Sequence, residues 1–301
     1  MSRGRIQLWA ALWVVYLVWG STYLGIKLAV RTLPPLLTAG TRFLAAAAIL
    51  AAILAIARRS LRVGRREALA AAGLGVALLA CGVGLVHVAE TRIDSGVAAI
   101  GNASMPIFVA LLALRFRKSE RATGSKAVGV VLGLIGVGVL TGINPQGGWA
   151  GVVGTLAVIL ASISYAASTL YIQTLLDTVH NDVLAAASVT WGAIFLTPLG
   201  AAQAPSHVPS WGVIGSVLAL ALLGTVAGQL LYFRLVYRYG SARASLVVYL
   251  LPVTALFYGA LLLGESITAS AIVGLVLILT GTALGSGVLR MPRRAAVATS
   301  P

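Results

Sequence analysis

Two stretches decide the fold: RIDSGVAAIGNASMP, residues 92–106, and RYGSARASLVVYLLP, residues 238–252. Arg92, Ser95, Ala98 and Pro106 recur 146 positions later as Arg238, Ser241, Ala244 and Pro252. Downstream, Glu120, Gly129 and Gly136 recur 145 positions later as Glu265, Gly274 and Gly281. Upstream, Leu24 and Ile26 match Leu170 and Ile172, with Trp19 opposite Tyr165. One identity in so biased a sequence arises by chance. A Pro and a Glu preserved in order, with one deletion between them, mark a duplicated unit.

Apolar runs of about 20 residues, the length that crosses a hydrocarbon core as a helix, fill the chain around these marks. Ten spans are predicted: 6–27, 36–57, 68–89, 96–114, 127–142, 149–171, 183–203, 211–233, 241–263 and 268–289. They are rich in Ala and Leu without strict alternation, so strands are not expected. Composition agrees: 59% of 301 residues are hydrophobic and 10% charged, against about 25% charged in a soluble domain. The single cysteine, Cys81, excludes a disulfide scaffold, and the apolar content excludes disorder. The first span follows Arg3 and Arg5 as a signal peptide would. It is too long for such a segment and lacks an A-x-A site, so it reads as retained.

The charges orient the spans. Lys and Arg number 22 against 7 Asp and Glu, a net +15. With the N-terminus inside, eighteen of the basic residues fall in cytoplasmic segments and only Lys27, Arg31 and Arg92 in outer ones. This is the positive-inside pattern rather than a nucleic-acid footprint. The segment 172–182 should be cytoplasmic yet has no Lys or Arg. Five spans per repeat make the second copy enter the membrane upside down. The basic stretch Arg115–Lys126 then lies inside, and its counterpart around Glu265 outside. The expected fold is therefore an all-α integral membrane protein. Ten transmembrane helices form two inverted five-helix repeats, 1–142 and 143–289, with a basic cytoplasmic tail, 290–301, and both termini cytoplasmic. Inverted repeats are a transporter architecture, with the solute bound where the repeats meet.

Pro106 and Pro252 stand near the centres of spans 4 and 9. A mid-helix proline removes a donor and clashes with the carbonyl four residues back, here Asn102 and Val248. Matched helix breaks in two halves point to a binding cavity. Polar and aromatic residues gather on the spans that should line it. They are Trp19, Ser21, Thr22 and Tyr23; Asn102, Ser104 and Met105; Tyr165, Ser168 and Thr169; Ser245 and Tyr249. Aromatic walls with a few hydroxyl and amide groups suit an amphipathic solute such as an amino acid. Ser and Thr also serve as helix glue, and Trp and Tyr as interface anchors. Trp9, Trp149 and Trp211 sit at span ends as anchors, whereas Trp19 and Tyr165 lie too deep for that role.

Few ionisable groups enter the apolar region, where they are costly. Arg42 either attracts a carboxylate or, the favoured reading, ties helix ends. His87 and Glu90 either gate and relay protons or, the favoured reading, form an exposed salt-bridge cluster with Arg92 and Asp94. Gln229 is a further candidate. Lys27 is expected to snorkel, and Glu120 and Glu265 to favour the dipoles of the helices they begin. The pairs Gly129/Gly133 and Gly281/Gly285 permit close packing within the bundle, and a monomer or weak homodimer is expected. No nucleotide-binding loop, H-E-x-x-H or cysteine cluster is present. His87, His180 and His207 all lie away from span centres, which leaves an intramembrane nucleophile without a base. No selectivity-filter pattern supports a channel. Enzyme and channel remain the remote alternatives. The expected partners are a small-molecule substrate and the lipid bilayer, with no cofactor, no metal and no nucleic acid.

Trp19-Gly20-Ser21-Thr22-Tyr23 before Lys27 resembles the first helix of EamA-type transporters of the drug/metabolite transporter superfamily. Arg42-Phe43 followed by small residues resembles them too. So do Pro106…Glu120…Gly129 and Pro252…Gly264-Glu265…Gly274…Gly281, at the ends of the two repeats. The resemblance covers nearly the whole chain. It implies a carrier in the bacterial cytoplasmic (inner) membrane, crossing it many times and exporting small metabolites. The amino acid exporters, including the aromatic amino acid exporter, are similar in layout; export of drugs or of metabolites such as nucleosides is the alternative. Small multidrug transporters bear a glutamate within the first helix. Span 1 here has none, so their proton-for-cation exchange does not carry over; a charge-poor cavity suggests facilitated diffusion, with coupled transport the alternative.

Overall fold

The computed structural model describes residues 3–59, 64–116, 125–142, 148–175, 180–205, 208–239 and 247–285. Among them all regular structure is helical. Helix α1 spans Arg3–Val30 and α2 Pro35–Ile56; α3, Arg65–Leu74, runs through a π-helical segment, Gly75–Val83, into α4, Gly84–Glu90. Then come α5 Ser95–Asn102, α6 Met105–Phe116 and α7 Ser125–Gly142. The second half repeats the order. It has α8 Gly148–Leu175, α9 Asn181–Ala201 and α10 Trp211–Ala219, then a second π segment, Leu220–Ala227, and α11 Gly228–Tyr239. Helices α12 Val247–Leu263 and α13 Ala269–Gly285 complete it. Among the described residues, seven helical stretches are long and apolar enough to cross a membrane, and the apolar helices at Ser125–Leu140, Leu251–Leu263 and Ala269–Gly285 are shorter. Large apolar side chains such as Trp13, Leu44, Phe257 and Leu261 are exposed. That outward apolar surface suits lipid and not water.

Equivalent helices of the two halves pack against each other in opposite directions. Across α2 and α9, a Cβ built on Gly40 would lie 2.9 Å from the Thr197 backbone, and one on Gly200 would meet the backbone of Leu37. As α2 advances, α9 recedes. Helices α7 and α13 do the same: Gly136 meets Ile278, and Gly133 and Gly129 meet Gly281. The Gly-x-x-x-Gly pairs thus face each other inside the chain, and the absent Cβ atoms let the backbones approach. The second repeat is therefore inverted relative to the first. Phe43, Leu50, Leu79 and Val189 fill the core between α2, α9 and the first π segment.

The first proline marks a real discontinuity. Helix α5 ends at Asn102 and α6 begins at Met105, with Pro106 in its first turn, where a missing N–H costs nothing. The carbonyls freed at the gap accept hydroxyl groups. Gly101 O accepts Ser104 Oγ at 2.6 Å, and Ala103 O accepts Thr282 Oγ1 at 3.2 Å. Pro252 differs from expectation. It lies inside α12, which is continuous from Val247 to Leu263, so no matched break occurs there. Glu120, Ser245 and the tail 290–301 lie outside the described residues, and of Tyr249 only the backbone is described.

Candidate solute-binding cavity

The two π segments begin 145 residues apart, at Gly75 and Leu220, and so occupy equivalent places in the two repeats. Each is crossed by the first helix of the opposite repeat. The Trp19 indole of α1 lies over Gly228, just past the second π segment, and donates from Nε1 to Gly224 O at 3.0 Å. The Tyr165 ring of α8 lies over Gly82 in the first π segment, and neighbouring Ser164 donates to Ala77 O at 2.6 Å. Trp19 and Tyr165, like Gly82 and Gly228, are 146 apart. Widened π turns offer carbonyls to side chains and recur at functional sites. Here two aromatic rings and two side-chain donors meet them.

Between these crossings lies a cavity of ≈180 Å³. Of the expected residues, Trp19, Thr22, Tyr23, Asn102, Met105, Tyr165, Thr169, Arg42 and Gln229 line it. Asn102 Nδ2 donates to Tyr23 Oη at 2.8 Å, and Ser162 Oγ donates to Asn102 Oδ1 at 3.1 Å. This chain joins α1, α5 and α8 at the wall. Ser21 and Ser104 instead bond backbone carbonyls of their own neighbourhood, Val18 O and Gly101 O. Ser168 is buried away from the cavity, its Oγ without a hydrogen bond. The sequence reading missed Phe43, Thr225, Tyr232 and Phe233, which also line the cavity. Tyr232 packs on Trp19 with ring centroids 5.1 Å apart. It lies four residues past Gly228, about one helical turn, and one residue from the end of the predicted span 211–233, where an aromatic residue reads as an interface anchor.

The ionisable groups depart most from expectation. His87 and Glu90 do not form an exposed salt-bridge cluster. They are 0% and 1% exposed, and His87 Nε2 and both Glu90 carboxylate oxygens have no hydrogen-bond partner. Neither lines the cavity; they stand behind it on α4. Lys27 does not snorkel: its Nζ donates to the carbonyls of Glu90 at 2.9 Å and Ile93 at 2.7 Å. That ties the end of α1 to the end of α4. Glu265 favours a helix dipole, but that of α5 and not of its own helix. Its carboxylate accepts Ser95 N at 3.0 Å, Ser95 Oγ at 2.7 Å and Gly96 N at 3.2 Å, as an anion at a helix N-terminus should. Lys27 and Glu265 thus hold together one end of the bundle. The cavity extends the other way, from Ile26 and Arg42 towards Ile172, Phe233 and Val247.

The EamA-like transporter family matches this chain twice, at residues 7–142 and 152–286. A protein named "Uncharacterized inner membrane transporter YedA", from Escherichia coli strain K12, is 33% identical over 274 residues, covering 88% of this chain and 86% of that protein. A "Probable amino-acid metabolite efflux pump" from Salmonella typhimurium is 28% identical, covering 94% of this chain and 96% of its own. A solved crystal structure shares the fold with a TM-score of 0.67 at 18% identity, over 94% of this chain and 96% of that one.

Proposed function

The chain belongs to the EamA-like transporter family, and from that premise we propose that it exports small amphipathic metabolites, foremost amino acids including aromatic ones, across the bacterial inner membrane. The observation that carries the reading is the cavity at the crossing of the repeats. Its aromatic walls, from Trp19, Tyr165 and Tyr232, hold an apolar body, and its few polar groups orient a head. The name of the Salmonella relative, an amino-acid metabolite efflux pump, supports the same class.

In the proposed topology both termini are cytoplasmic. The Lys27 and Glu265 ties then close the outer end, and the cavity extends inward, where an exported solute enters. Release needs those ties to part while the inner end closes. The α5–α6 discontinuity lets the two halves of that span move separately in alternating access. A reporter fused after Pro301 is active on the cytoplasmic side in this topology; activity on the outer side overturns it. Counterflow in proteoliposomes, with labelled amino acids, nucleosides and cationic drugs, tests the solute class. Amino acid counterflow supports the proposal, and counterflow restricted to the cationic drugs or nucleosides replaces it.

A further inference from the structure

We infer that Arg42 and Gln229 form a head-group site for an α-amino acid, Arg42 holding the carboxylate and Gln229 the ammonium. This deepens the reading above and rests on it.

Arg42 is 5% exposed and lines the cavity. Its Nε donates to Thr225 Oγ1 at 2.8 Å, and its guanidinium carbon lies 5.6 Å from the centre of the Phe43 ring. These contacts fix the guanidinium plane and leave the terminal nitrogens, the fork that grips a carboxylate. Gly224 leaves the fork its place, since a Cβ there would stand 3.0 Å from Nη2. Among the described residues Arg42 forms no ion pair, and both Glu90 carboxylate oxygens are without a hydrogen-bond partner. A buried, unpaired cation is expensive, and an anion arriving in the cavity relieves that cost.

Arg42 is the one cation among the described residues that line the cavity; Lys27 stands outside the lining, bound to two backbone carbonyls. A carboxylate matches the planar fork of Arg42, and the ammonium of the same solute meets the Gln229 oxygen.

Gln229 supplies the second half. It is 8% exposed, lines the cavity, and its Oε1 is buried with no hydrogen-bond partner. An orphaned acceptor of this kind is costly until a donor arrives. Gln229 follows Thr225, the anchor of Arg42, by four residues, about one helical turn. A donor fork and an orphan acceptor thus line one cavity, with the packed rings of Trp19 and Tyr232. A carboxylate and an ammonium on one carbon, with an apolar side chain, fit that set.

The test is binding to the purified full chain in lipid nanodiscs with three probes: L-phenylalanine, L-phenylalaninamide, which lacks the carboxylate, and 3-phenylpropionate, which lacks the amine. Phenylalanine is expected to bind at least about tenfold more tightly than its amide and several-fold more tightly than phenylpropionate. In Arg42→Gln, acid and amide bind alike; in Gln229→Leu, phenylalanine and phenylpropionate bind alike. Arg42→Lys keeps the charge without the fork and retains part of the preference for the acid, which decides the matter if Arg42→Gln does not fold. Equal binding of acid and amide by the native protein overturns this inference and leaves the exporter reading standing. So does an acid preference that survives in Arg42→Gln. Failure of all three probes to bind the native protein removes the amino acid reading and this inference together.

Discussion

The indole of Trp19 lies so close across Gly228 that a methyl group at that glycine has no room. The same relationship holds between Tyr165 and Gly82. Adding a methyl there sets two effects against each other. Helix propensity favours Ala over Gly by about 1 kcal/mol, while overpacking costs about 1–3 kcal/mol. Overpacking wins where the neighbour is a packed ring. Gly228→Ala and Gly82→Ala are expected to lower the melting temperature and to reduce transport by displacing the rings. Gly215→Ala, where nothing lies within 4 Å, is expected to be neutral or stabilising. Thermal unfolding of the three variants checks this; equal shifts in all three would contradict the crossing geometry.

Glu265 binds the first turn of α5 through three hydrogen bonds. Glu265→Ala leaves Ser95 N and Gly96 N without that partner and is expected to cost about 1.5–3 kcal/mol. Glu265→Gln keeps one acceptor and should cost less. Denaturation in detergent measures both, and an unchanged midpoint in the alanine variant refutes the tie.

Asp94 lies in the connection between α4 and α5. Burial, and then the nearby Glu265 carboxylate, hold its carboxyl above the ordinary value of 3.8, with Lys27 and Arg31 opposing them. The folded form then binds this proton more tightly than the unfolded chain does. Stability from the group is present at acid pH and is lost as pH rises through the folded value. Asp94→Asn should therefore stabilise the protein at neutral pH, by under about 1 kcal/mol for a group still partly open to solvent, and have no effect near pH 3. Matching pH–stability curves for the two proteins would rule this out.

Pro106 stands in the first turn of α6, past the gap at Ala103 and Ser104. Pro106→Ala restores a backbone donor that can bridge the gap. Expected is an equal or higher melting temperature with reduced counterflow, because the two halves of the span are joined. Unchanged flux removes the hinge. Pro252→Ala lies within a continuous helix and should change flux less.

The duplication, the helical class and the placing of Trp19 and Tyr165 were legible because they rest on repeated residues and apolar length. The π segments were not. A π turn changes hydrogen bonding by one residue and leaves no mark in an unbroken apolar run such as Gly75–Val83. The burial of His87 and Glu90 was also hidden. Charged residues at a span end normally meet water, and only the packing of the other helices around α4 encloses them. Lys27 was misread for the same reason, since its carbonyl partners are 63 and 66 residues away. Pro252 carried the sequence mark of a break without the break, because proline only weakens a helix locally and its neighbours decide the rest.

The most direct measurement is counterflow of labelled L-phenylalanine in proteoliposomes containing the native protein, Trp19→Ala or Tyr165→Ala. Each variant is first shown to be folded by gel filtration and thermal unfolding. The native protein should accumulate label against an internal unlabelled pool, and each variant should lose at least about tenfold in initial rate, a change of about 1.4 kcal/mol. Native rates in both folded variants would contradict a solute path between the two aromatic crossings.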